Sequence, residues 1–225
     1  MNEMSRRGLA DAGADGRGSL PVAPTSRGRF RRGSGTLAAL DIGSTKITCL
    51  IGRVESDGHL RVLSVGHHRS RGIRAGSVVD LEQAEASIRA AVAQAEELAD
   101  TQVREVVTNL SCGQPDSTQL TVQLHLGGHA ADDASLRRIV AEGRARAYAE
   151  GREVIHAIPL SYTVDGTAGV KDPRGMVCET LAARLHVVDA AVGTLRNLAS
   201  CLAHCDLDIE ALVAAPFAAG LASLV

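Results

Sequence analysis

Residues Asp41-Ile42-Gly43-Ser44-Thr45-Lys46 place an acid, a glycine, two hydroxyls and a lysine between two apolar runs, Leu37–Leu40 and Ile47–Ile51. The chain has lysine only at positions 46 and 171, all its other basic charge being arginine. A turn between antiparallel strands lines successive backbone N–H groups along its concave side, and such a nest accepts phosphate oxygens. In that reading Gly43 permits close approach, the Ser44 and Thr45 hydroxyls add donors, and Lys46 neutralises phosphate charge. Asp41 is positioned to hold a hydrated Mg²⁺ through water. The spacing is not that of a Walker P-loop, which occurs nowhere in the chain.

Other candidates are weaker. Lys171, Asp172 and Arg174 sit on a stretch between two strands and are read as partner contacts. Cys49, Cys112, Cys178, Cys201 and Cys205 are scattered, odd in number and mostly inside apolar patterns, which points to buried free thiols. Cys201, His204 and Cys205 share a helix face but lack further zinc ligands. His67-His68, His156 and Tyr162 are read as structural.

The 225 residues carry a net charge of −2 and 45% hydrophobic content. That is ample for a core and does not favour a nucleic-acid partner. No apolar run reaches the length of a membrane span, and the N-terminus lacks the apolar stretch of a secretory signal, so the expected location is cytoplasmic. Residues 1–35 are rich in Gly, Ser, Arg and Pro and read as a disordered tail, with Arg27, Arg29, Arg31 and Arg32 facing solvent.

Order is expected from Thr36. Stretches 37–42, 47–54 and 59–68 form an antiparallel meander, with a turn at 55–58. Asp80 caps a helix from Leu81, with Gln83 as the other half of a capping box, and Leu81, Ala84, Ile88, Val92, Ala95 and Ala99 form its inward stripe. Stretch 103–110 is a further strand, added parallel to an edge. Then comes a smaller plan of strand 118–126, helix from Ala134 capped by Asp132 or Asp133, and strands 153–164 and 179–188 separated by a loop over 165–176. Asp189 is expected to cap the next helix, which leads to a strand over 207–215 and to a helix with Pro216 in its first turn. That last helix has no exit signal, so the chain reads as the first part of a longer protein. The fold class is α/β, with the strand-helix-strand-strand unit inserted into a larger layer.

DIGSTK resembles the first phosphate loop of the actin, Hsp70 and sugar-kinase superfamily. SRGIRAGSVVDLE, the strand ending Leu110-Ser111, HAIPLSYTVDG and GVKDPRGM resemble, in that order, the FtsA family of bacterial cell-division proteins. The likeness runs from Thr36 to Val225. It implies an actin-like (RNase H-like) subdomain 1A over 36–110 and 188–225, and an inserted subdomain 1C (SHS2) over 111–187. Carried over, it makes Asp41, Gly43, Ser44, Thr45 and Lys46 the ATP-binding phosphate loop.

It further implies ATP and Mg as cofactors of a complete protein, with weak or no binding by this chain, and an adaptor role in place of enzymatic turnover. The implied partners are FtsZ, further copies of the protein, later division proteins such as FtsN through 1C, and the inner membrane at the septum through a helix this sequence lacks. The second phosphate loop, the adenosine motif and subdomains 2A and 2B are also missing from the sequence. Cys178 stands where the family commonly has glycine. A kinase of the same superfamily needs a complete cleft and a catalytic acid. An actin-like pilus-assembly scaffold is expected to lack both the 1C pattern and the GVKDPRGM loop.

Overall fold

The computed structural model describes residues 35–111 and 113–224; the N-terminal tail and Cys112 lie outside them. Strands β1 (Thr36–Ile42), β2 (Lys46–Val54) and β3 (Leu60–Arg69) form the expected antiparallel meander. A small hairpin, β4 (Ile73–Arg74) and β5 (Ser77–Val78), precedes α1 (Leu81–Ala99). β6 (Glu105–Leu110) then pairs parallel with β1. After the intervening unit, α3 (Val192–His204), β11 (Asp208–Ala214) and α4 (Ala215–Ser223) complete the layer, with β11 parallel to β6. The five-stranded order is β11-β6-β1-β2-β3.

Alternation along β1 and β2 sends Ala38, Leu40, Ile42, Ile47, Cys49 and Ile51 to one face, where they pack with Ala84, Ile88, Ala91 and Val92 of α1 and Leu195, Leu198 and Leu202 of α3. The inward stripe of α1 also includes Ser87 and Ala91, whereas Leu81 is 40% exposed. Leu81 occupies the first turn, before the helix reaches the sheet. Asp80 caps the helix by accepting from the Gln83 N–H at 3.0 Å. The reciprocal half of the expected box is different: Gln83 Nε2 donates to the Asp80 carboxylate, and the Asp80 N–H is taken by Gly72 O.

The inserted unit comprises β7 (Asp116–Ala130), α2 (Asp133–Arg146), β8 (Arg152–Val164), β9 (Thr167–Val170) and β10 (Val177–Ala191), in the sheet order β7-β10-β8-β9. Asp132 and Ser135 form a complete capping box on α2, whose Leu136, Ile139 and Gly143 are buried against the sheet. β7 and β10 outrun their expected lengths because each is paired to the other almost throughout. The expected loop over 165–176 contains β9. Asp165-Gly166, with φ of 45° and 84°, is a two-residue hairpin turn joining β8 to it.

Asp189 does not cap α3. It lies within β10 and pairs with Arg152 Nε at 2.6 Å, while α3 starts after Ala191 without a side-chain cap. Among the described cysteines Cys49, Cys178 and Cys201 are buried and Cys205 is half-buried, all free. Burial pushes the Cys49 thiol up to about 11 and the Cys201 thiol up to about 12, so both stay protonated. Exposed His204 pairs with Glu85 of α1 at 2.7 Å. Among the described residues no helix is long and apolar enough to cross a membrane.

The tightest backbone approach of a helix to a strand is at Gly66 of β3. A Cβ there would stand 2.1 Å from Ala91 O and 2.6 Å from Ala95 N, both backbone atoms of α1. At Gly143 of α2 the intruded atom is Leu185 Cδ1, the end of a side chain that can turn aside. Gly66→Ala is therefore expected to lose more than about 2 kcal/mol in urea denaturation, and Gly143→Ala less. Equal losses would show that α1 can slide on β3.

Candidate functional site

The 41–46 stretch folds as the hairpin tip joining β1 to β2. Ile42 pairs with Ile47, and the Gly43 N–H donates to Lys46 O at 3.1 Å to close the turn. A Cβ on Gly43 would lie 2.9 Å from that same carbonyl, so the turn itself requires the missing side chain. Among the described residues the N–H groups of Ser44 and Thr45 donate to no protein acceptor. These two adjacent donors are exposed at the tip.

The tip is braced from three sides. Ser44 Oγ accepts from the Gly76 N–H of the β4–β5 hairpin at 3.1 Å, which leaves its own O–H to donate outward. Thr45 O accepts from the Ser70 N–H at 3.0 Å. Asn109, on β6, receives the Ile42 N–H at 2.8 Å through Oδ1, and its Nδ2 donates to Asp41 Oδ1. Asp41 Oδ2 has no partner among the described residues, so the carboxylate is oriented by one oxygen and open at the other. Alternation places Asp41, Lys46 and Asn109 on the sheet face opposite α1 and α3.

Asn109 and Gly76 are site residues that the sequence reading passed over. The signal for Asn109 was an amide alternating with valines in EVVTNL on a strand parallel to β1; Gly76 had none beyond a turn-like Ala-Gly. Phosphate and Mg²⁺ fit these residues. Two free N–H groups, an outward hydroxyl and Lys46 suit phosphate oxygens, and a half-open carboxylate suits metal-bound water.

The 171–174 segment is built differently. Arg174 donates to Asp133 at the start of α2 at 2.7 Å and to Asp172 at 2.9 Å, so Arg174 fastens the segment to α2 and Asp172 holds Arg174 in place. Backbone and side-chain hydrogen bonds from Arg174 hold the Asp172 carboxyl below its usual range. Lys171 is exposed and enters no ion pair among the described residues.

Residues 112–189 match the family model described as the SHS2 domain inserted in FtsA. The cell division protein FtsA of Agrobacterium fabrum is 35% identical over 199 residues, covering 84% of this chain and 45% of the relative. That of Escherichia coli is 29% identical over 188 residues, covering 83% and 44%. The chain is a homologue of FtsA. Its likeness is to the N-terminal part of those proteins, and it spans a little under half their length. Among solved structures, the PilM–PilN type IV pilus biogenesis complex superposes with a TM-score of 0.60 at 16% identity, over 82% of this chain and 49% of that one.

This fold likeness supports an actin-like sheet carrying an inserted unit. It also corrects one expectation: the shared portion is too large for the five-stranded layer alone, so the inserted unit does not by itself separate FtsA-like chains from pilus scaffolds. Sequence identity and the matched family model do.

Asn109→Ala should cost about 1–2 kcal/mol in thermal or urea unfolding, because it leaves the Ile42 N–H without its acceptor and Asp41 without its donor. Amide exchange at Ile42 should accelerate in step. An unaltered Ile42 amide would remove Asn109 from the brace.

Proposed function

We propose that this chain forms one wall of an ATP site, and carries the partner-contacting unit, of a cell-division adaptor of the FtsA kind. The observation that supports this most is the braced 41–46 tip in a chain whose inserted unit matches the FtsA family model. In this reading Ser44, Thr45 and Lys46 hold phosphate oxygens, Gly43 closes the turn, and Asp41 orients Mg²⁺ through water. Subdomain 1A then comprises 36–110 and 188–225, and 1C comprises 111–187.

An adaptor of this kind would bind FtsZ and the inner membrane, placing it at the division septum. The inserted unit would serve self-association and contact with later division proteins such as FtsN, with Lys171, Asp172 and Arg174 on its contact surface. No catalytic role is assigned to any residue. In this reading the 41–46 tip supplies binding and orientation.

A single tip offers only part of a nucleotide's contacts. Each charge-assisted hydrogen bond left unmade forgoes roughly 1.5–3 kcal/mol, and every 1.4 kcal/mol is about tenfold in affinity. Titration calorimetry of the 225 residues with Mg-ATP should show no micromolar binding; a micromolar Kd would overturn the one-wall reading. In a longer protein that includes this sequence, Lys46→Ala should weaken ATP binding by about tenfold or more and reduce filament formation. Unchanged affinity there would take Lys46 out of the site.

A further inference from the structure

Four polar side chains are buried among the described residues outside the cysteines and Tyr162: Ser64, Ser87, Thr108 and His156. The three hydroxyls donate to backbone carbonyls, of Ala95, Gln83 and Leu40 respectively. His156, 2% exposed, does the reverse: its Nε2 accepts from the Ala214 N–H at 2.9 Å. A ring nitrogen that accepts must carry a lone pair, so this geometry requires neutral imidazole with its proton on Nδ1.

The bond joins two units. His156 belongs to β8 of the inserted sheet, and Ala214 is the last residue of β11 and the residue before α4. The His156 ring also lies against Phe217 of α4, with centroids 5.0 Å apart. α4 has no side-chain cap and none of its residues is buried, so beyond the pairing of Ala214 with Leu110 of β6 the corner has few other fixings. Ala214 follows Val213, whose partner on β6 is Asn109.

We propose that His156 is a positioning residue that couples the inserted unit to the β11–α4 corner, with the neutral ring as the coupled state. Load placed on the inserted unit is then delivered to the corner where β11 enters α4. Protonation would set an N–H against an N–H and break the tie. The surroundings keep the ring neutral: burial lowers its pKa first, with Arg144 from α2 and His186 from β10 adding to it. The residues that face it from β11 and α4, Ala214 and Phe217, carry no charge, and Glu153 on its own strand acts on Arg144. A histidine depressed in the folded state stabilises the fold above its ordinary pKa, and that contribution is lost as pH falls through the lowered value. This inference does not depend on the ATP reading.

The test is amide exchange at Ala214 in the wild type, His156→Gln and His156→Leu, at about pH 7.5 and at the lowest pH at which the β1–β2 amides stay protected. Protection is expressed relative to amides of the β1–β2 pair. Glutamine can present an acceptor where Nε2 sits but cannot titrate. Wild-type protection is expected to fall roughly five- to tenfold on acidification, glutamine to hold it at both values, and leucine to lose it at both. The same pH response in wild type and the glutamine variant, or full protection in the leucine variant, would overturn the proposal. If the leucine variant does not fold, the ¹⁵N spectrum of the wild-type ring decides. An Nε2-protonated tautomer at neutral pH overturns the tie, and an Nδ1-protonated one upholds it.

Discussion

Two strands of this chain serve two cores, and the arrangement of everything else follows from how they change over. Along β10, Leu181, Ala183, Leu185 and Val187 face the core of the inserted unit, yet Ala190 lies in the core beneath α1 and α3. On β10 period-two alternation suffices, but on β8 it would not put both Val154 and Ala157 in the core of the inserted unit. The pairing with β8 shifts register between Val188 and Asp189, and the shift passes over Ile155, which is sent into the main core between Val154 and Ala157 of the other. A bulge re-aims side chains without ending the ladder. Arg152 fixes the crossing, bonding Asp189 through Nε and Gln114 O through Nη2. The inserted unit is thereby rooted where β8 and β10 pass from its own core into the main one, although among the described residues the two sheets share no strand pairing.

That root explains which features could be read in advance. The meander, α1 and its Asp80 cap, and α2 with its capping box depend on neighbours within a few residues, and local pattern exposes them. Asp189 has the profile of a cap, an acid before an amphipathic helix, but its carboxylate is taken by Arg152 from another strand. No local pattern reports such a partner. β9 is a different case. Its Asp165-Gly166 turn is a strong hairpin signal, and the small residues that follow it disguised a short strand as loop.

The candidate site divides in the same way. Gly43, Ser44, Thr45 and Lys46 are contiguous, so their types alone suggested a phosphate nest, and the fold gives them a tip with two adjacent unpaired N–H groups. The brace is non-local. Gly76 reaches Ser44 from the following hairpin, and Asn109 reaches Asp41 from β6. Neither stood out, because a glycine N–H and a strand amide carry little chemistry until a fold brings them to a partner. The site residues thus come from sequence, and their rigidity comes from topology.

β6 has a double duty that topology makes unavoidable. It holds Asp41 through Asn109, and its end at Leu110 is where the chain leaves for the inserted unit. On the return, β11 pairs parallel with β6 so that Val213 meets Asn109 and Ala214 meets Leu110. The brace on the 41–46 tip and the point of departure therefore share β6, which lies between β1 and the edge strand β11. Coupling between distant sites needs rigid elements in continuous contact. Here the path from Asp41 to His156 runs through side-chain hydrogen bonds and two paired strands, with no loop along it. From tip to corner the connection consists of the Asp41–Asn109 bond, the β6–β11 pairing and the Ala214–His156 bond.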